Sequence, residues 1–416
     1  MSECKPNRSS IKQPGALSNT LAAVVALLGL ICATTLTTLP AAAQHAAAPA
    51  SDQRGIDQVA DKAAALLNGG GTNKTNRSKP EPAPSRIAIV DRSSLWAPIP
   101  IRNMRPYNLL FLQFIPQKAD VLLAGRNDFA IQLDIANNLL VPNEFQNGKF
   151  GSSVHEDNEY QRLRFSWRRG LSSREEVGMT TALLWRNGGI LDALLSSYHS
   201  LFGLNGNGPD NALGREHYRK YQSVLQVVDT GRNTTIRQGS AFGLGETNFE
   251  YKHRLTRTIG RSATALRLGI KLPTGNPRLL LGSGSVDAGG ELLAQYGVGR
   301  DLSFFGSAGI VWMGAAHRIP GAQPHMVQGL MGIAYHPNSR DSFVLQIDAN
   351  SLAVRTGNRF ADRAAVSATF GYRRKLSGHQ SFYAAFSENG DIHNYSLPAF
   401  SDIGPDLTLS AGFEWH

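Results

Sequence analysis

The stretch from Asp406 to His416 reads Asp-Leu-Thr-Leu-Ser-Ala-Gly-Phe-Glu-Trp-His and decides how the rest of the chain is interpreted. Apolar residues alternate with polar or small ones along its whole length, which is the period of a β-strand with one apolar face. An alternating strand of this kind, with aromatic residues and placed at the C-terminus, is typical of bacterial outer-membrane barrels. The stretch therefore predicts an all-β fold, a transmembrane antiparallel β-barrel that this last strand closes.

The composition of the 416 residues fits a single large barrel. Beyond the N-terminal region there is no run of about 18 apolar residues, so the sequence offers no helical membrane span. The net charge of +10 would suit nucleic acid. However, the Lys and Arg residues are spread over alternating strands and turns and form no basic stripe with interleaved aromatics. We therefore expect no nucleic-acid partner.

Residues 1–43 predict a signal peptide. A basic lead precedes an apolar run from Leu21 to Ile31, and Ala41 to Ala43 supplies an A-x-A cleavage site. Both cysteines, Cys4 and Cys32, fall in this segment, so the mature chain is expected to hold no disulfide. An uncleaved anchor or a lipoprotein cysteine is the weaker alternative. Residues 44–86 are the predicted disordered linker. Asp52–Leu67 within it could form a short helix, and Thr72–Ser85 is polar and rich in Pro and Lys.

Further segments alternate like the last one and bring the expected number of strands to about 12, an even number as in bacterial barrels. They are Asp128–Ala136, Tyr160–Arg168, Val177–Arg186, Glu246–Leu255, Thr264–Leu272, Val286–Val298, Leu302–Trp312, Val327–Tyr335, Phe343–Ala349, Val366–Arg374 and Ser381–Ser387.

The links between these segments alternate between short and long. Leu376–His379 is short and Ser351–Asp362 is long, for example. Outer-membrane barrels have short periplasmic turns and longer outer loops, so the alternation predicts the outer membrane of a Gram-negative bacterium. The longest outer loop, Asn187 to Phe242, contains an amphipathic helix that starts near Ile190. This outer-loop helix is expected either to pack on the barrel rim or to narrow the mouth.

Residues 87–115 have two interpretations. Pro98, Pro100 and Pro106 exclude a central strand in the first half, whereas Tyr107–Ile115 could form one. One added strand would make the number odd. Either residues 87–115 lie inside the lumen as a plug, or two more strands bring the total to about 14. We favour 12 strands with a plug and a barrel from residue 116 to residue 416. The plug residues singled out are Arg102, Asn103, Asn108 and Phe114.

If the apolar residues face lipid, the opposite set lines the lumen, and its two charge signs nearly balance. A balanced wall favours cross-strand ion pairs, with a polar permeation path as the alternative, since a selective pore would show one sign. The predicted lumen residues are Arg162, Arg164, Arg168, Arg186, Glu246, Glu250, Lys252, Arg254, Arg267, Lys271, Asp287, Glu291 and Asp348.

Enzyme chemistry finds little support in the sequence. Gly282 to Ser285 does not fit G-x-S-x-G, and the zinc, redox and phosphate-loop motifs are missing. His253, on the lipid-facing side of its strand, is the one candidate for an outer-wall lipid hydrolase. We therefore predict no enzyme, no metal site and no cofactor.

Two groups of residues carry a resemblance to a known family. Pro100 to Asn103 followed by Leu109 to Phe114, and Leu272 to Gly275 followed by Gly282 to Ser285, resemble segments of an uncharacterised Gram-negative outer-membrane family known only as a protein of unknown function. The Leu-Pro-Thr-Gly part is also similar to barrels of aromatic-degradation pathways. The resemblance implies a porin-like barrel and names no ligand.

The sequence thus predicts an outer-membrane passive channel or transporter for small solutes, with hydrophobic solutes as an option. A non-conducting scaffold that presents the long outer loop, and a lipid-modifying enzyme, are the alternatives. The expected partners are outer-membrane lipid, a small-molecule solute and, through the C-terminal strand, the assembly machinery.

Overall fold

The last strand of the chain closes the structure on itself. In a computed structural model, Leu407–Trp415 pairs on one side with Gln380–Asn389 and on the other with the first strand, Asn127–Leu140. The structure describes residues 97–140, 152–202, 220–229, 234–256, 262–316, 319–356, 362–389, 405 and 407–416. These residues belong to one compact unit, Asp91–His416. The predicted signal peptide, linker and residues 87–96 lie outside the described residues.

The strands are β1 Asn127–Leu140, β2 Ser152–Gly170, β3 Glu175–Asn187, β4 Val224–Asp229, β5 Thr234–Gln238, β6 Ala241–Leu244, β7 Thr247–Arg254, β8 Ser262–Leu272, β9 Asp287–Val298, β10 Leu302–Trp312, β11 His325–Tyr335, β12 Asp341–Asn350, β13 Ala365–Lys375, β14 Gln380–Asn389 and β15 Leu407–Trp415. Within the described residues, 12 of them form a closed antiparallel ring. The ring runs β1, β2, β3, β7 and then in chain order to β15, which pairs with β1. The prediction of about 12 strands is confirmed, and the alternative of 14 is wrong.

The wall strands have an apolar outer face and a polar inner face. On β1 the outward Phe129, Ile131 and Leu133 are 53%, 40% and 43% exposed, whereas the inward Gln132 and Asp134 are 1% and 0% exposed. A water-soluble sheet would bury the apolar set and expose the polar one. The reversed arrangement is stable when the outer face meets lipid.

Aromatic residues lie opposite each other near the end of the barrel where the short turns are. Phe129 lies opposite Trp415, and Tyr335 lies opposite Phe343 in the strand register. The Phe343 ring also lies 5.4 Å from that of Tyr372 on the next strand. Such rings form a girdle at the membrane interface of barrels, because their edges suit the boundary between lipid and water.

The two ends of the barrel differ in the length of their links. Residues 171–174, 299–301, 336–340 and 376–379 form short turns at one end, which we call the short-turn end. Residues 273–286, 313–324 and 351–364 connect strands at the opposite, long-loop end. No helix in the described part of the chain is long and apolar enough to cross a membrane.

The long loop after β3 holds more structure than the sequence predicts. The expected helix is present as α1, Leu191–Phe202. The chain then forms a β4–β5 hairpin that the sequence pattern does not reveal, and β4 pairs with the first residues of β2, Ser152 to Asp157. The reason is that β2 extends beyond its pairing with β3, which ends at Glu159, so this edge of β2 is open to β4, whereas Glu156 and Asp157 pair with β1 on the other edge.

Candidate functional site

Residues 97–122, called here the inner segment, lie in the lumen of the barrel. Side chains of β1, β2, β3, β7, β8, β9, β11, β12 and β13 make hydrogen bonds to its backbone, so wall strands surround it. The option of a strand at Tyr107–Ile115 is wrong. This stretch holds a 3₁₀ helix at Asn108–Leu110, and its backbone groups bond to wall side chains instead of to a neighbouring strand.

Two inward glutamines pair with the backbone of the inner segment. Gln346 accepts from the Ile99 N–H and donates to the Ile99 carbonyl, both at 3.0 Å. Gln328 accepts from the Phe114 N–H and donates to the Leu112 carbonyl, also at 3.0 Å. A primary amide offers a donor and an acceptor, so each glutamine replaces a missing strand partner. Leaving such buried groups unpaired would cost about 1–3 kcal/mol each.

Arg102 fastens the inner segment to β9. Its Nε donates to the Phe114 carbonyl at 2.5 Å, and its Nη2 lies 3.0 Å from Oε1 of Glu291. Both side chains of this ion pair are completely buried. Glu291 also binds Arg267, which donates to the Ile115 carbonyl at 2.9 Å. One wall carboxylate therefore holds two guanidinium groups that both bind the inner segment.

Most of the predicted lumen residues lie in buried ion pairs on the inner face or with the inner segment. These pairs are Arg162–Asp134, Arg168–Asp128, Lys252–Glu176, Arg254–Asp120, Arg267–Glu250 and Lys271–Asp287, with distances of 2.9, 2.9, 2.9, 2.9, 3.3 and 3.2 Å. Removing one member of a buried pair generally costs about 3–5 kcal/mol, so the charges hold the interior in one arrangement.

Two other predicted lumen arginines, Arg164 and Arg186, donate to neutral oxygens. The Nη2 of Arg164 donates to the Pro100 carbonyl at 2.8 Å. Arg186 donates to the Tyr160 hydroxyl at 2.8 Å and to the Leu279 carbonyl at 3.0 Å. Arg164 therefore holds the inner segment, whereas Arg186 connects β3 with β2 and with the loop after β8.

Glu246 does not lie on a strand, contrary to the predicted segment Glu246–Leu255. The strand is interrupted between β6 and β7. The Glu246 carboxylate accepts from the N–H groups of Gly275 and Ser283 at 3.2 and 2.8 Å. It also lies 3.1 Å from Nζ of Lys271. The interruption of the strand places this carboxylate against the backbone of the loop after β8.

Asn103, Asn108 and Asp348 are buried together with the inner segment. Asn103 Oδ1 accepts from the Arg105 N–H at 2.8 Å and shapes the bend that follows Arg102. Asn108 lies in the 3₁₀ helix and lines a cavity of about 10 Å³. Asp348 accepts from Asn350 on its own strand at 3.3 Å.

Two larger cavities lie beside the inner segment along β2, β3 and β7. The first has a volume of about 60 Å³ and reaches Arg168 near the short-turn end. The second has a volume of about 50 Å³ and reaches Leu184 farther toward the long-loop end. Ile115, Arg164 and Thr180 line both cavities. At roughly 10–15 Å³ per water, each has room for about four water molecules.

The second cavity offers both apolar and polar groups. Phe111 and Leu184 give it apolar surface. Among the described residues, Oε1 of Gln113, Oδ1 of Asn248 and Nη2 of Arg162 are buried without a hydrogen-bond partner, and all three side chains line this cavity. A molecule with donors for the two amide oxygens and an acceptor for the guanidinium would satisfy them.

Sequence reasoning missed the neutral residues of this site. Gln132, Gln328 and Gln346 bind the inner segment, and Thr180 lines both cavities, whereas the predicted lumen-lining set contains charged residues only. Their inward position in the strand alternation was a usable signal. A polar uncharged residue between two apolar neighbours faces the lumen as surely as a charged one does.

The candidate for enzyme chemistry lies away from the lumen. His253 is on the outer face of β7, opposite Glu175 and Leu266 in the register of the neighbouring strands. In the part of the chain that the structure describes, no group of three or more His, Cys, Asp or Glu residues could hold a metal ion.

The closed ring, its apolar outer face, its aromatic girdle and its polar lumen define an integral β-barrel of the Gram-negative outer membrane. The chain belongs to the family described as "Protein of unknown function (DUF3187)", whose model matches residues 88–414.

Solved structures with a similar arrangement include other outer-membrane barrels. The COG4313 outer membrane channel from Pseudomonas putida F1 is 10% identical, with a TM-score of 0.46, over 73% of this chain and 99% of that one. The toluene transporter TbuX of Ralstonia pickettii is 8% identical, with a TM-score of 0.34, over 71% and 90%. The NanC porin is 10% identical, with a TM-score of 0.37, over 70% and 100%. A comparison with curated proteins finds no match.

Proposed function

We propose that the protein is a narrow passive channel of the outer membrane, in which small solutes pass between the inner segment and the β2–β3–β7 side of the wall. The observation that carries the proposal is the pair of cavities that share Ile115, Arg164 and Thr180. They occupy successive levels along the same three strands. On the opposite side, Gln328 and Gln346 bind the inner segment directly to the wall.

The chemistry of the second cavity favours small solutes with an apolar body and a few polar groups. Phe111 and Leu184 would contact the apolar part, and the unpaired groups of Gln113, Asn248 and Arg162 would bind the polar part. Larger solutes would require displacement of the inner segment. Because the lumen charges are paired, we expect little selectivity between cations and anions.

Liposome swelling with neutral solutes of increasing size tests this proposal. The variant Thr180→Trp places a large side chain where the two cavities meet, and we expect it to reduce the swelling rate strongly. Thr264→Trp is the matched control, because Thr264 alternates with the buried Ala263 and Ala265 and so lies on the outer face of β8. Equal swelling rates for the two variants would contradict the proposed path. If neither the wild type nor Arg102→Ala gives solute flux, the protein is not a channel.

A surface scaffold is the second candidate, and the β4–β5 hairpin favours it. The hairpin extends the sheet from β2 at the long-loop end, so it offers an ordered surface beyond the wall. Deletion of residues 220–238 should then abolish binding of a partner to whole cells. Leu225 and Val227 of the hairpin are buried in one apolar cluster with Tyr107 and Phe111 of the inner segment, so the deletion should also raise solute flux. A deletion that changes flux and leaves partner binding intact would favour the channel.

A further inference from the structure

Helix α1 lies against the outside of the barrel wall. Asn137 and Glu159 are opposite each other in the β1–β2 register, on the odd-numbered outer face of β1. Glu159 is completely buried. Its Oε2 accepts from the N–H groups of Ile190 and Leu191 at 2.9 and 2.8 Å. Asp192 Oδ1 accepts from Asn137 Nδ2 at 2.9 Å. The N-terminal turn of α1 therefore covers an outward polar patch and does not lie over the mouth.

The face of α1 that points away from the wall is mainly apolar. Ile190, immediately before the helix, and Leu194 and Leu201 within it are 69%, 40% and 77% exposed, and their spacing of four and seven residues places them on one stripe. The exposed Ser197 lies on the same stripe, and its hydroxyl donates to the Ala193 carbonyl at 2.9 Å. The opposite stripe, with Leu191 and Leu195, is buried. The helix thus has apolar residues on both faces. A helix between a protein and water would carry a polar outer face instead.

The helix exposes no charge on the described side chains. Asp192 is the only Asp, Glu, Lys or Arg in α1, and it is completely buried. A helix without exposed charge loses little by leaving water, whereas its apolar stripe gains roughly 25 cal/mol for each Å² that lipid covers. The surface therefore suits lipid better than a charged protein partner.

The stripe continues the lipid-facing surface of the barrel. Trp185 and Phe242 are exposed on the outer face, lie opposite each other on β3 and β6, and have ring centroids 6.3 Å apart. Asn187, opposite Glu159, follows Trp185 by two residues, which is about 7 Å along a strand. Aromatic residues mark the membrane interface. The start of α1 therefore lies two strand residues beyond Trp185 and Phe242, at the level of the lipid headgroups.

We propose that α1 is an interfacial helix whose stripe of Ile190, Leu194 and Leu201 inserts into the outer lipid leaflet. The ligand of this surface is the membrane itself, at the boundary between acyl chains and headgroups. Insertion would fix the first part of the long loop flat against the membrane beside the barrel. This inference depends on the membrane location of the barrel and holds whether or not the barrel conducts.

Fluorescence quenching tests the inserted stripe. Leu194→Cys and Leu201→Cys, in a chain in which Cys4 and Cys32 are absent or replaced by Ser, are labelled with bimane. Each protein is reconstituted into phosphatidylcholine vesicles that contain doxyl-labelled lipid. Leu133→Cys is the lipid-facing control, and Gly378→Cys, in a short turn with no atom within 4 Å of a Cβ there, is the water-facing control.

We expect doxyl lipid to quench both α1 labels to an extent comparable with Leu133→Cys, and iodide to quench only Gly378→Cys. Doxyl groups near the headgroup should quench the α1 labels more than groups near the chain end, since the helix lies at the interface. Quenching of the α1 labels by iodide alone would overturn the proposal, as would quenching by neither agent, which would mean that protein covers the stripe. A change of gel mobility on boiling verifies that each variant is folded.

Discussion

The ring of Phe114 packs directly against Gly269, where a Cβ atom would lie 2.7 Å from Cε1 of the ring. Gly269 is opposite Gly289 in the β8–β9 register, and a Cβ on Gly289 would lie 3.0 Å from Cε2. The guanidinium carbon of Arg267 lies 5.0 Å from the ring centroid. The inner segment therefore contacts the wall backbone at a place where only glycine leaves room.

Gly269→Ala is expected to displace the Phe114 ring and to lower the free energy of unfolding by about 1–3 kcal/mol, as overpacking does. Phe114→Ala alone should cost about 3–5 kcal/mol. In the double variant the clash is absent, so the two losses should not add. The temperature at which the folded gel band disappears measures each effect. Gly378→Ala, which meets no atom within 4 Å, is the control, and strict additivity would contradict the contact.

Removal of Glu291 should harm the barrel more than removal of Arg102. Glu291→Gln leaves the buried guanidinium groups of Arg102 and Arg267 without their shared carboxylate, so we expect a loss near the upper end of about 3–5 kcal/mol. Arg102→Ala leaves Glu291 paired with Arg267 and should cost less. It also removes the donor to the Phe114 carbonyl, so swelling should become faster.

The matched control for this pair of variants is Arg374→Ala. The Arg374 side chain is 43% exposed, and its distance of 3.6 Å from Asp341 makes a surface pair worth about 0–1 kcal/mol. Equal losses of stability for Glu291→Gln and Arg102→Ala would show that Arg267 does not share the carboxylate. An unchanged swelling rate in Arg102→Ala would show that Arg102 does not restrain the inner segment.

The wall could be read from the sequence because each strand must alternate to face lipid on one side. The predicted Thr264–Leu272 differs from β8 by two residues, and Leu302–Trp312 coincides with β10. The interruption of the strand at Glu246 could not be predicted, because the partners of its carboxylate, Gly275 and Ser283, lie 29 and 37 residues farther along the chain. The path of the inner segment was equally hidden, because strands distant in sequence bind its backbone. Gln328, for example, can bind Leu112, and Gln346 can bind Ile99, only once β11 and β12 surround the lumen.

Glu159 is expected to stabilise α1 locally rather than the barrel as a whole. Glu159→Ala leaves the N–H groups of Ile190 and Leu191 without their acceptor, at a cost of about 1–3 kcal/mol. Glu159→Gln keeps an acceptor but loses the favourable charge at the helix N-terminus, worth about 0.3–1 kcal/mol. Hydrogen exchange of residues 190–195 should become faster in the order wild type, Gln, Ala. Ser197→Ala, on the exposed side, is the control, and faster exchange throughout β1 would contradict a local role.

The closing seam of the barrel depends on Tyr383, which reaches from β14 across β15 to β1. Its hydroxyl donates to Oε1 of Gln132 at 2.5 Å, and a Cβ atom on Gly412 would overlap this hydroxyl. Tyr383→Phe removes one hydrogen bond, and Gln132 keeps its contact with Arg164, so we expect a loss of about 0.5–1.5 kcal/mol. Gly412→Ala should cost more, about 1–3 kcal/mol, because the ring must leave its place over β15. The temperature at which the folded gel band disappears should therefore fall further in Gly412→Ala than in Tyr383→Phe. If Gly412→Ala melts with the wild type, the phenol does not cross the seam at this glycine.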